Sequence, residues 1–268
     1  MSLSGKRILL TGASGGIGRH VALELARRGA HLALVGRDEA RLEALAQALR
    51  AQGATAVPLA FDLAAPTGHD ALIARAASAL GGLDVLVNNA GVQRFGALSE
   101  EDPQAIVNLV AINVTAPLLL TRAALKLFCA AGAGHVVNVG STFGAIGYPY
   151  FAAYSASKFA LRGLSEALRR ELKELGVKVT HVSPRATATS MNSPAVRELM
   201  TKTGTRVDEP ETVARAVAAA ISGGPAVRQL GWPERFFVRL NALLPSLVDR
   251  GLVQQARVAA ACAQRSRA

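Results

Sequence analysis

The feature that most constrains this chain is an alternation of short apolar runs with amphipathic segments of helix length. Seven apolar runs have the length of β-strands: Arg7–Leu10, Leu32–Val35, Ala56–Leu59, Val85–Val87, His135–Val139, Lys178–Val182 and Ala226–Leu230. Between them, leucines recur at helical spacing, as they do within Glu39–Ala51. Continuous apolar strands separated by helices indicate a parallel sheet covered on both faces. We therefore predict an α/β fold with a doubly wound parallel sheet of about seven strands and helices on both faces.

Length and composition fit one such domain followed by an extension. The chain has 268 residues, of which 50% are hydrophobic and 18% charged, so the class of disordered chains is excluded. We expect one domain over residues 1–230 and a basic, amphipathic helical tail over residues 231–268. The two cysteines, Cys129 and Cys262, are too few for a disulfide scaffold, and they have no neighbours of ligand type, so no metal site is expected.

The formal charge of +11 raises the question of an anionic partner. The sequence has no helix-turn-helix signature, no zinc-ligand spacing and no interleaving of aromatic and basic residues, so no nucleic acid is expected. No signal peptide and no uncharged apolar window of about 18 residues is visible, and we expect a cytoplasmic location. Residues 225–268 hold seven arginines and two acidic residues, which is almost half of the excess.

A glycine-rich turn follows the first strand, and a helix opens directly after it. Glycine permits the tight turn and the close approach of backbone to a phosphate, which the free N–H groups of the helix N-terminus favour. A structural turn without a ligand is the alternative. We assign to a dinucleotide diphosphate the residues Gly12, Ser14, Gly15, Gly16, Ile17 and Gly18.

The spacing of this turn, Thr-Gly-x-x-x-Gly-Ile-Gly from Thr11, resembles that of the short-chain dehydrogenase/reductase family in its short single-domain branch. The resemblance covers about residues 4–230, with the motifs in the family's order, and is strongest to NADP-dependent carbonyl and 3-oxoacyl reductases. It implies a Rossmann fold, an NAD(P)-dependent oxidoreductase and a homodimer or homotetramer.

The end of the second strand bears on the choice between NADP(H) and NAD(H). In family members that prefer NAD(H) an acidic residue stands there, whereas this chain has Gly36 at that position and Arg37 next. Because an arginine can grip a 2′-phosphate that an acid would repel, we predict that NADP(H) is preferred. Two alternatives are a solvated Arg37 with Asp38 capping the next helix, and Asp38 turned back onto the ribose.

Further segments match cofactor positions of the family. Asp62, with Leu63 beside it, matches the carboxylate that meets the adenine amino group, and a helix or turn cap is its alternative. The segment Asn89-Ala90-Gly91 matches the family turn that stabilises the central sheet and flanks the adenosine.

After the sixth strand the sequence departs from the family. Pro-Gly is usual there, and this chain has Pro184 followed by Arg185, with Thr187 and Thr189 beyond. We assign all four to the cofactor by resemblance. The Arg185 side chain is expected to contact the diphosphate or to point into the substrate cleft.

Tyr154 and Lys158 are four residues apart in a predicted helix over residues 152–175, so they project from one face. A neighbouring ammonium favours a phenolate, and we expect it to lower the pKa of Tyr154. A solvated pair is the alternative. The resemblance makes Tyr154 the general acid/base and gives Lys158 the nicotinamide ribose, so both also count as cofactor contacts. It further makes Ser141 the group that holds the substrate oxygen and Asn113 the anchor of a relay water, with a packing role as the alternative for Asn113.

The predicted substrate is a hydrophobic carbonyl compound or secondary alcohol, such as a ketone, a 3-oxoacyl compound or a steroid-like lipid. Candidate substrate contacts are Ser141, Phe143, Tyr148, Tyr154 and Met191. A non-enzymatic dinucleotide-binding sensor or scaffold is the other function considered, although a sensor does not need the serine, tyrosine and lysine together.

The tail repeats apolar residues at helical spacing, from Trp232 to Leu247, with Arg235, Arg239 and Arg250 among them. Pro245 is expected to break or kink this segment. Such a helix can lie in a membrane interface as a peripheral contact, or it can pack on its own core or on a partner subunit.

Overall fold

The structure is a computed structural model that describes residues 2–265; Met1 and residues 266–268, which close the predicted tail, lie outside the described residues. One parallel sheet runs in the order β3-β2-β1-β4-β5-β6-β7. The strands are β1 Arg7–Thr11, β2 His31–Gly36, β3 Ala56–Ala60, β4 Val85–Asn88, β5 Gly134–Val139, β6 Val177–Ser183 and β7 Val227–Gln229.

The helices alternate with these strands. They are α1 Gly16–Arg27, α2 Glu39–Arg50, α3 His69–Leu80, α4 Pro103–Val110, α5 Ala116–Ala130, α6 Ala152–Glu171, α7 Pro194–Lys202, α8 Pro210–Ile221, α9 Glu234–Leu243 and α10 Pro245–Arg265. The predicted doubly wound sheet is confirmed, because every strand pair is parallel. From β1 the chain adds strands β2 and β3 on one side, and then adds β4 to β7 on the other side. Each of the seven predicted strands overlaps an observed one.

Two apolar layers cover the sheet, one on each face. Ile8 and Leu10 of β1 point into the layer built with α1, α2 and α8, whereas Leu9 points into the layer built with α3, α5 and α6. This alternation follows from the two-residue period of a strand. Both faces of β1 are therefore dry, and its carboxyl end is held rigidly where the glycine turn begins.

Strand β3 is one edge of the sheet and carries a proline at its centre. The Thr55 carbonyl accepts from Leu32 and the Phe61 N–H donates to Gly36, so the odd-numbered residues of this strand face β2. Pro58, which is paired in register with Leu34, therefore faces outward, at the edge where its missing N–H costs no ladder hydrogen bond.

One run in the described residues, Pro103–Ala130, is long and apolar enough to cross a membrane by length and composition alone. It comprises α4, a π-helical turn over Ala111–Thr115 and α5. Leu120, Ala124 and Phe128 of this run are fully buried against the sheet, so we treat the run as a core helix.

The tail forms two helices, and the break falls at Pro245, the first residue of α10. The end of α10 turns back onto the protein, where Ala259 and Cys262 are fully buried. They belong to a third apolar cluster that also contains Phe151, Tyr154 and residues of α7. Packing on the protein's own core is thus confirmed for the end of α10, whereas α9 leaves its large apolar side chains exposed.

Candidate active site

The glycine turn joins β1 to α1 through two close approaches of backbone to backbone. Gly12 has a φ of +66°, and a Cβ there would lie 2.8 Å from the Ala90 Cα. A Cβ on Gly18 would overlap the Gly12 carbonyl oxygen. No side chain caps the N-terminus of α1 at Gly15, so the first N–H groups of that helix are left for an anion.

Beside this turn lies a cleft of about 440 Å³ at the carboxyl ends of the strands. It brings together these predicted cofactor residues: Gly12, Ser14, Gly15, Gly16, Ile17, Gly18, Arg37, Asp62, Leu63, Asn89, Ala90, Gly91 and Thr189. It is also lined by residues that were not assigned to the cofactor: Gly36, Phe61, Val92, Gln93, Ile112, Ser190 and Met191. The remaining predicted cofactor residues, Tyr154, Lys158, Pro184, Arg185 and Thr187, do not line it.

Two charged residues follow β2: Arg37, which is exposed, and Asp38, whose carboxylate is bound by Arg41. Asp38 accepts a hydrogen bond from the Arg41 N–H at 3.0 Å, and its other oxygen lies 3.1 Å from the Arg41 guanidinium. The predicted helix cap is therefore confirmed. Arg37 is exposed at the cleft and makes no ion pair within the described residues. A Cβ on Gly36 would lie 3.2 Å from the Ser14 hydroxyl, so an acid at that position would be crowded.

Asp62 caps a turn and also lines the cleft, and these are the two roles that the sequence left open for it. Its Oδ1 accepts from the Ala64 N–H at 3.0 Å, which is a turn cap, and its side chain also lines the cleft.

Thr11 is a functional position that the sequence reasoning missed. Its hydroxyl accepts from the N–H groups of Asn89 and Ala90, at 3.0 and 3.1 Å, and the Asn89 amide donates back to the Thr11 carbonyl at 2.9 Å. These bonds join β1 to the turn after β4. The sequence feature that could have identified Thr11 is a hydroxyl residue at the end of an apolar strand, directly before Gly12.

The two catalytic candidates of α6 lie behind the Gly91 turn, outside the lining of the cleft. The Lys158 Nζ is 5.7 Å from the centre of the Tyr154 ring and donates to the Val139 carbonyl at 3.3 Å. A Cβ on Gly91 would lie 3.3 Å from the same Nζ, so the ammonium lies against the turn that lines the cleft. Both side chains are buried, Tyr154 with 9% and Lys158 with 4% exposure.

Burial shifts the pKa of both groups. It raises the pKa of Tyr154 to about 12, although a hydrogen bond with Ser141 acts in the opposite direction. It lowers the pKa of Lys158 to about 8. The expected lowering of the Tyr154 pKa is therefore corrected for the protein alone, because desolvation of the phenolate outweighs the help of its neighbours.

Ser141 is brought to Tyr154 by a short 3₁₀ turn over Thr142–Gly144. The Ser141 hydroxyl accepts from the Phe143 N–H at 3.2 Å, which caps the turn. A Cβ on Gly144 would lie only 2.6 Å from the Lys158 carbonyl oxygen. Glycine at this position therefore lets the serine-bearing turn pack directly on the backbone of α6.

Asn113 lies in the π-helical turn and is almost fully buried. Its amide accepts from the Val92 N–H at 2.9 Å and donates to the Val92 carbonyl at 2.8 Å and to the Ser157 hydroxyl at 3.0 Å. The side chain thus holds the chain that lines the cleft and ties it to α6. This is the packing role that the sequence left open.

Arg185 occupies neither of its two expected locations. Its guanidinium donates to Asp208 at 2.6 Å and lies 3.4 Å from Glu234 of α9. Two partly buried carboxylates outcompete the cleft for this cation, so it links the strand end to the tail. Pro184 and Thr187 also have structural partners, since the Pro184 carbonyl accepts from the Thr142 N–H and the Thr187 hydroxyl donates to the Arg185 carbonyl.

Aromatic rings fill the space in front of Tyr154. Phe143 stacks on Tyr148 with ring centres 4.8 Å apart and meets the Tyr154 ring at 6.3 Å, with Phe151 packed against all three. The structure therefore brings together four of the candidate substrate contacts. Met191 lies apart from them at the rim of the cleft, where its carbonyl accepts from Gln93.

The comparison with protein families gives this site its context. A family model described as short chain dehydrogenase matches residues 6–199. The chain is a short chain dehydrogenase. The resemblance predicted from the sequence is confirmed, and with it the assignment of the chain as an NAD(P)-dependent oxidoreductase.

Relatives of this short chain dehydrogenase cover most of its length. It is 33% identical over 220 residues to the ketoacyl reductase HetN of Nostoc sp., which is 82% of this chain and 76% of that protein. It is 37% identical over 256 residues to the hydroxysteroid 11-beta-dehydrogenase 1-like protein A of Xenopus laevis, which is 93% of this chain and 86% of that protein. Its fold is similar to a crystal structure of a short chain dehydrogenase from Burkholderia cenocepacia in complex with NADP, with a TM-score of 0.78, 30% identity and coverage of 88% of this chain and 100% of that one.

The cleft of this short chain dehydrogenase fits a nicotinamide dinucleotide. The glycines that line the cleft and the uncapped start of α1 suit a diphosphate, and a cation stands at the end of β2. A dinucleotide lying along the cleft from Arg37 would have its nicotinamide end at the Gly91 turn, beside Lys158.

Proposed function

We propose that this short chain dehydrogenase is an NADP(H)-preferring enzyme that reversibly reduces a hydrophobic carbonyl compound to a secondary alcohol. The observation that carries the proposal is that Ser141, Tyr154 and Lys158 lie together directly behind the Gly91 turn, which lines the dinucleotide cleft. The non-enzymatic sensor or scaffold is the alternative, and it gives no reason for burying a lysine and a tyrosine at this point.

Tyr154 is the general acid in the proposed reduction. With a pKa of about 12 the phenol is protonated at neutral pH, so it carries the proton that the substrate oxygen needs. Ser141 donates a hydrogen bond to the same oxygen and stabilises the charge that develops there. NADPH supplies the hydride when it is bound.

Lys158 has two parts in the proposal. Its ammonium favours the phenolate form that Tyr154 takes after it has given up its proton, and it holds the nicotinamide ribose hydroxyls. The π turn at Asn113 holds the water through which the proton is replaced. For alcohol oxidation the same groups act in reverse, with the Tyr154 phenolate as the base.

Four observations support the preference for NADP(H). Arg37 stands at the cleft without an ion-pair partner among the described residues, and Gly36 leaves no acid to repel a 2′-phosphate. Asp38, which would favour NAD(H) if it turned to the ribose, has both oxygens engaged by Arg41. The Burkholderia cenocepacia relative was solved with NADP.

The proposed substrate is apolar because the residues in front of Tyr154 are aromatic. Phe143, Tyr148 and Phe151 offer ring faces, and Cys262 of α10 adds a small apolar side chain to the same cluster. The names of the relatives, a ketoacyl reductase and a hydroxysteroid dehydrogenase-like protein, are consistent with 3-oxoacyl or steroid-like compounds.

We also propose a homodimer or homotetramer in the cytoplasm, with the tail as a peripheral membrane contact. The helix faces of α4, α5 and α6 support self-association, because large apolar side chains are exposed there: Val107, Val110, Leu118, Leu127 and Phe159.

The test is NADPH oxidation against a panel of hydrophobic ketones, 3-oxoacyl thioesters and steroids, with NADH in parallel. We expect turnover with at least one apolar carbonyl compound and a KM for NADPH at least about tenfold below that for NADH. NADPH binding without turnover of any panel member would favour the sensor. A tenfold preference for NADH would overturn the cofactor assignment and leave the reaction class intact.

A further inference from the structure

The tail carries a continuous exposed apolar surface, here called the tail face. The exposure of its side chains ranges from 44% for Phe237 to 78% for Leu243. Aromatic rings adjoin along it, with ring centres 6.3 Å apart for Trp232 and Phe236 and 5.6 Å apart for Phe236 and Phe237. The tail face comprises Trp232, Phe236, Phe237, Leu243, Leu244 and Leu247.

Arginines surround the tail face, and the nearby acidic residues are few. Arg235, Arg239 and Arg250 are exposed on α9 and α10. Of the two acidic residues in these helices, Glu234 is turned inward to Arg185, which leaves only Asp249 among them at the surface. The tail face is therefore apolar with a positive rim.

We propose that the tail face docks onto a bilayer that contains anionic lipids. Trp and Phe side chains partition into the headgroup region, and arginines at its rim are attracted to an anionic surface. A second copy of this chain fits less well, because a two-fold contact through this patch would bring its arginines against the same arginines of the other copy. An anionic lipid surface satisfies the apolar centre and the positive rim together.

The position of the tail face relates this surface to the substrate. The Asn241 amide of α9 donates to the Ala145 carbonyl at 3.0 Å, in the loop that follows Ser141. From Leu247 at the tail face, α10 runs back to the cluster of Phe151, Tyr154 and Cys262. Docking would thus place the substrate end of the cleft next to the bilayer, from which an apolar carbonyl compound can enter. The docking deepens the peripheral membrane contact of the proposed function, and this last step rests also on the proposed reaction.

Trp232 makes the proposal directly measurable, because it is the only tryptophan in the chain. The probes are vesicles of phosphatidylcholine alone and of phosphatidylcholine with phosphatidylglycerol, added to the full-length protein. We expect a blue shift of tryptophan emission and co-sedimentation with the anionic vesicles, and weak binding to the neutral ones. No shift and no co-sedimentation with anionic vesicles would overturn the proposal.

Two double variants test whether vesicle binding depends on the tail face or only on the total exposed apolar surface and net charge of the protein. Phe236→Ser with Phe237→Ser, and Arg239→Glu with Arg250→Glu, should each weaken vesicle binding at least about tenfold. The matched controls are Leu98→Ser with Leu175→Ser, which are similarly exposed apolar residues elsewhere, and Arg75→Glu with Arg170→Glu, which change the net charge equally. If the controls lose as much binding as the tail variants, the tail face is not the docking surface.

A second readout distinguishes this proposal from the proposed function. Light scattering without vesicles should give the same oligomer for wild type and for the two phenylalanine substitutions; a loss of subunits in that variant would assign the tail face to a second copy and overturn lipid docking. Turnover of a water-soluble ketone should be within about twofold of wild type in all tail variants. A protein that binds vesicles but turns over no carbonyl compound would contradict the proposed function alone.

Discussion

The site has two ends that are built differently. The cofactor end is the open cleft of about 440 Å³, with glycines where strands β1 and β2 turn into helices. The catalytic end, behind the Gly91 turn, is packed with aromatic side chains, and Tyr154 retains only 9% exposure there. A substrate at the catalytic end therefore meets packed side chains, to which α10 contributes Cys262.

This difference also appears in the acid–base chemistry. At the packed end, burial moves the pKa of Tyr154 up to about 12 and that of Lys158 down to about 8. Arg37 at the open end is exposed to solvent and makes no ion pair among the described residues, so its guanidinium is available to an anion.

The largest expected effect comes from removing the reactive hydroxyl at the packed end. Tyr154→Phe should lower kcat for ketone reduction about 10³-fold, because the proton donor is lost. The cofactor end should be untouched, with NADPH affinity by fluorescence titration within about twofold. Tyr150→Phe removes the same atom from a nearby ring that has no assigned role, and it should keep kcat within about threefold. Substantial turnover by the Tyr154 variant would remove the catalytic role.

The next largest effect is expected from disturbing the contact between Gly144 and the backbone of Lys158. Gly144→Ala puts a Cβ 2.6 Å from the Lys158 carbonyl oxygen and should push Ser141 away from Tyr154, with an expected fall in kcat/KM of about 10- to 100-fold. Gly147→Ala, three residues along the same loop, meets no atom within 4 Å and is the matched control. Steady-state kinetics of both variants tests the point. Equal effects would mean that the turn is not held by this contact.

At the open end the expected effect is smaller and confined to the cofactor. Arg37→Ala should raise the KM for NADPH about tenfold and leave the KM for NADH unchanged, since only NADPH has a 2′-phosphate. Arg75→Ala, which removes an exposed arginine of α3 that has no part in the cofactor argument, is the control. An equal rise for both cofactors would assign Arg37 a structural role.

Much of the open end was predictable from the sequence, and much of the packed end was not. The strands, the glycine turn, the Asp38 cap and the break at Pro245 depend on residues close together in the chain. The partners of Arg185, which are Asp208 and Glu234 of α9, and the burial of Cys262 beside α7 depend on contacts that are remote in sequence. A helical repeat shows that a face is apolar, but it does not say which surface covers that face. The same limit explains the Tyr154 pKa, since i, i+4 spacing does not reveal burial.

The smallest expected effect concerns the pH dependence of stability, which two buried histidines of strands β5 and β6 influence. Burial lowers the pKa of His135 and of His181 from 6.5 to about 4, so between these values the unfolded chain binds protons that the folded chain does not. The free energy of unfolding is therefore highest above pH 6.5 and should fall as the pH is lowered toward 4.

Urea unfolding at pH 7 and at pH 4.5 measures this loss. His135→Gln should reduce the difference between the two pH values by on the order of 1 kcal/mol. His31→Gln, at a partly exposed histidine that begins β2, should leave it unchanged. An unaltered difference in the His135 variant would contradict the assignment.

Pro58 has a consequence for how copies of this chain meet. It interrupts the row of donors along the free side of β3, so a passing strand finds no N–H to bind at the centre of that edge. Growth of the sheet from one molecule into the next is therefore blocked on this side. The homo-oligomer proposed above would therefore form through helical surfaces and leave the β3 edge unpaired.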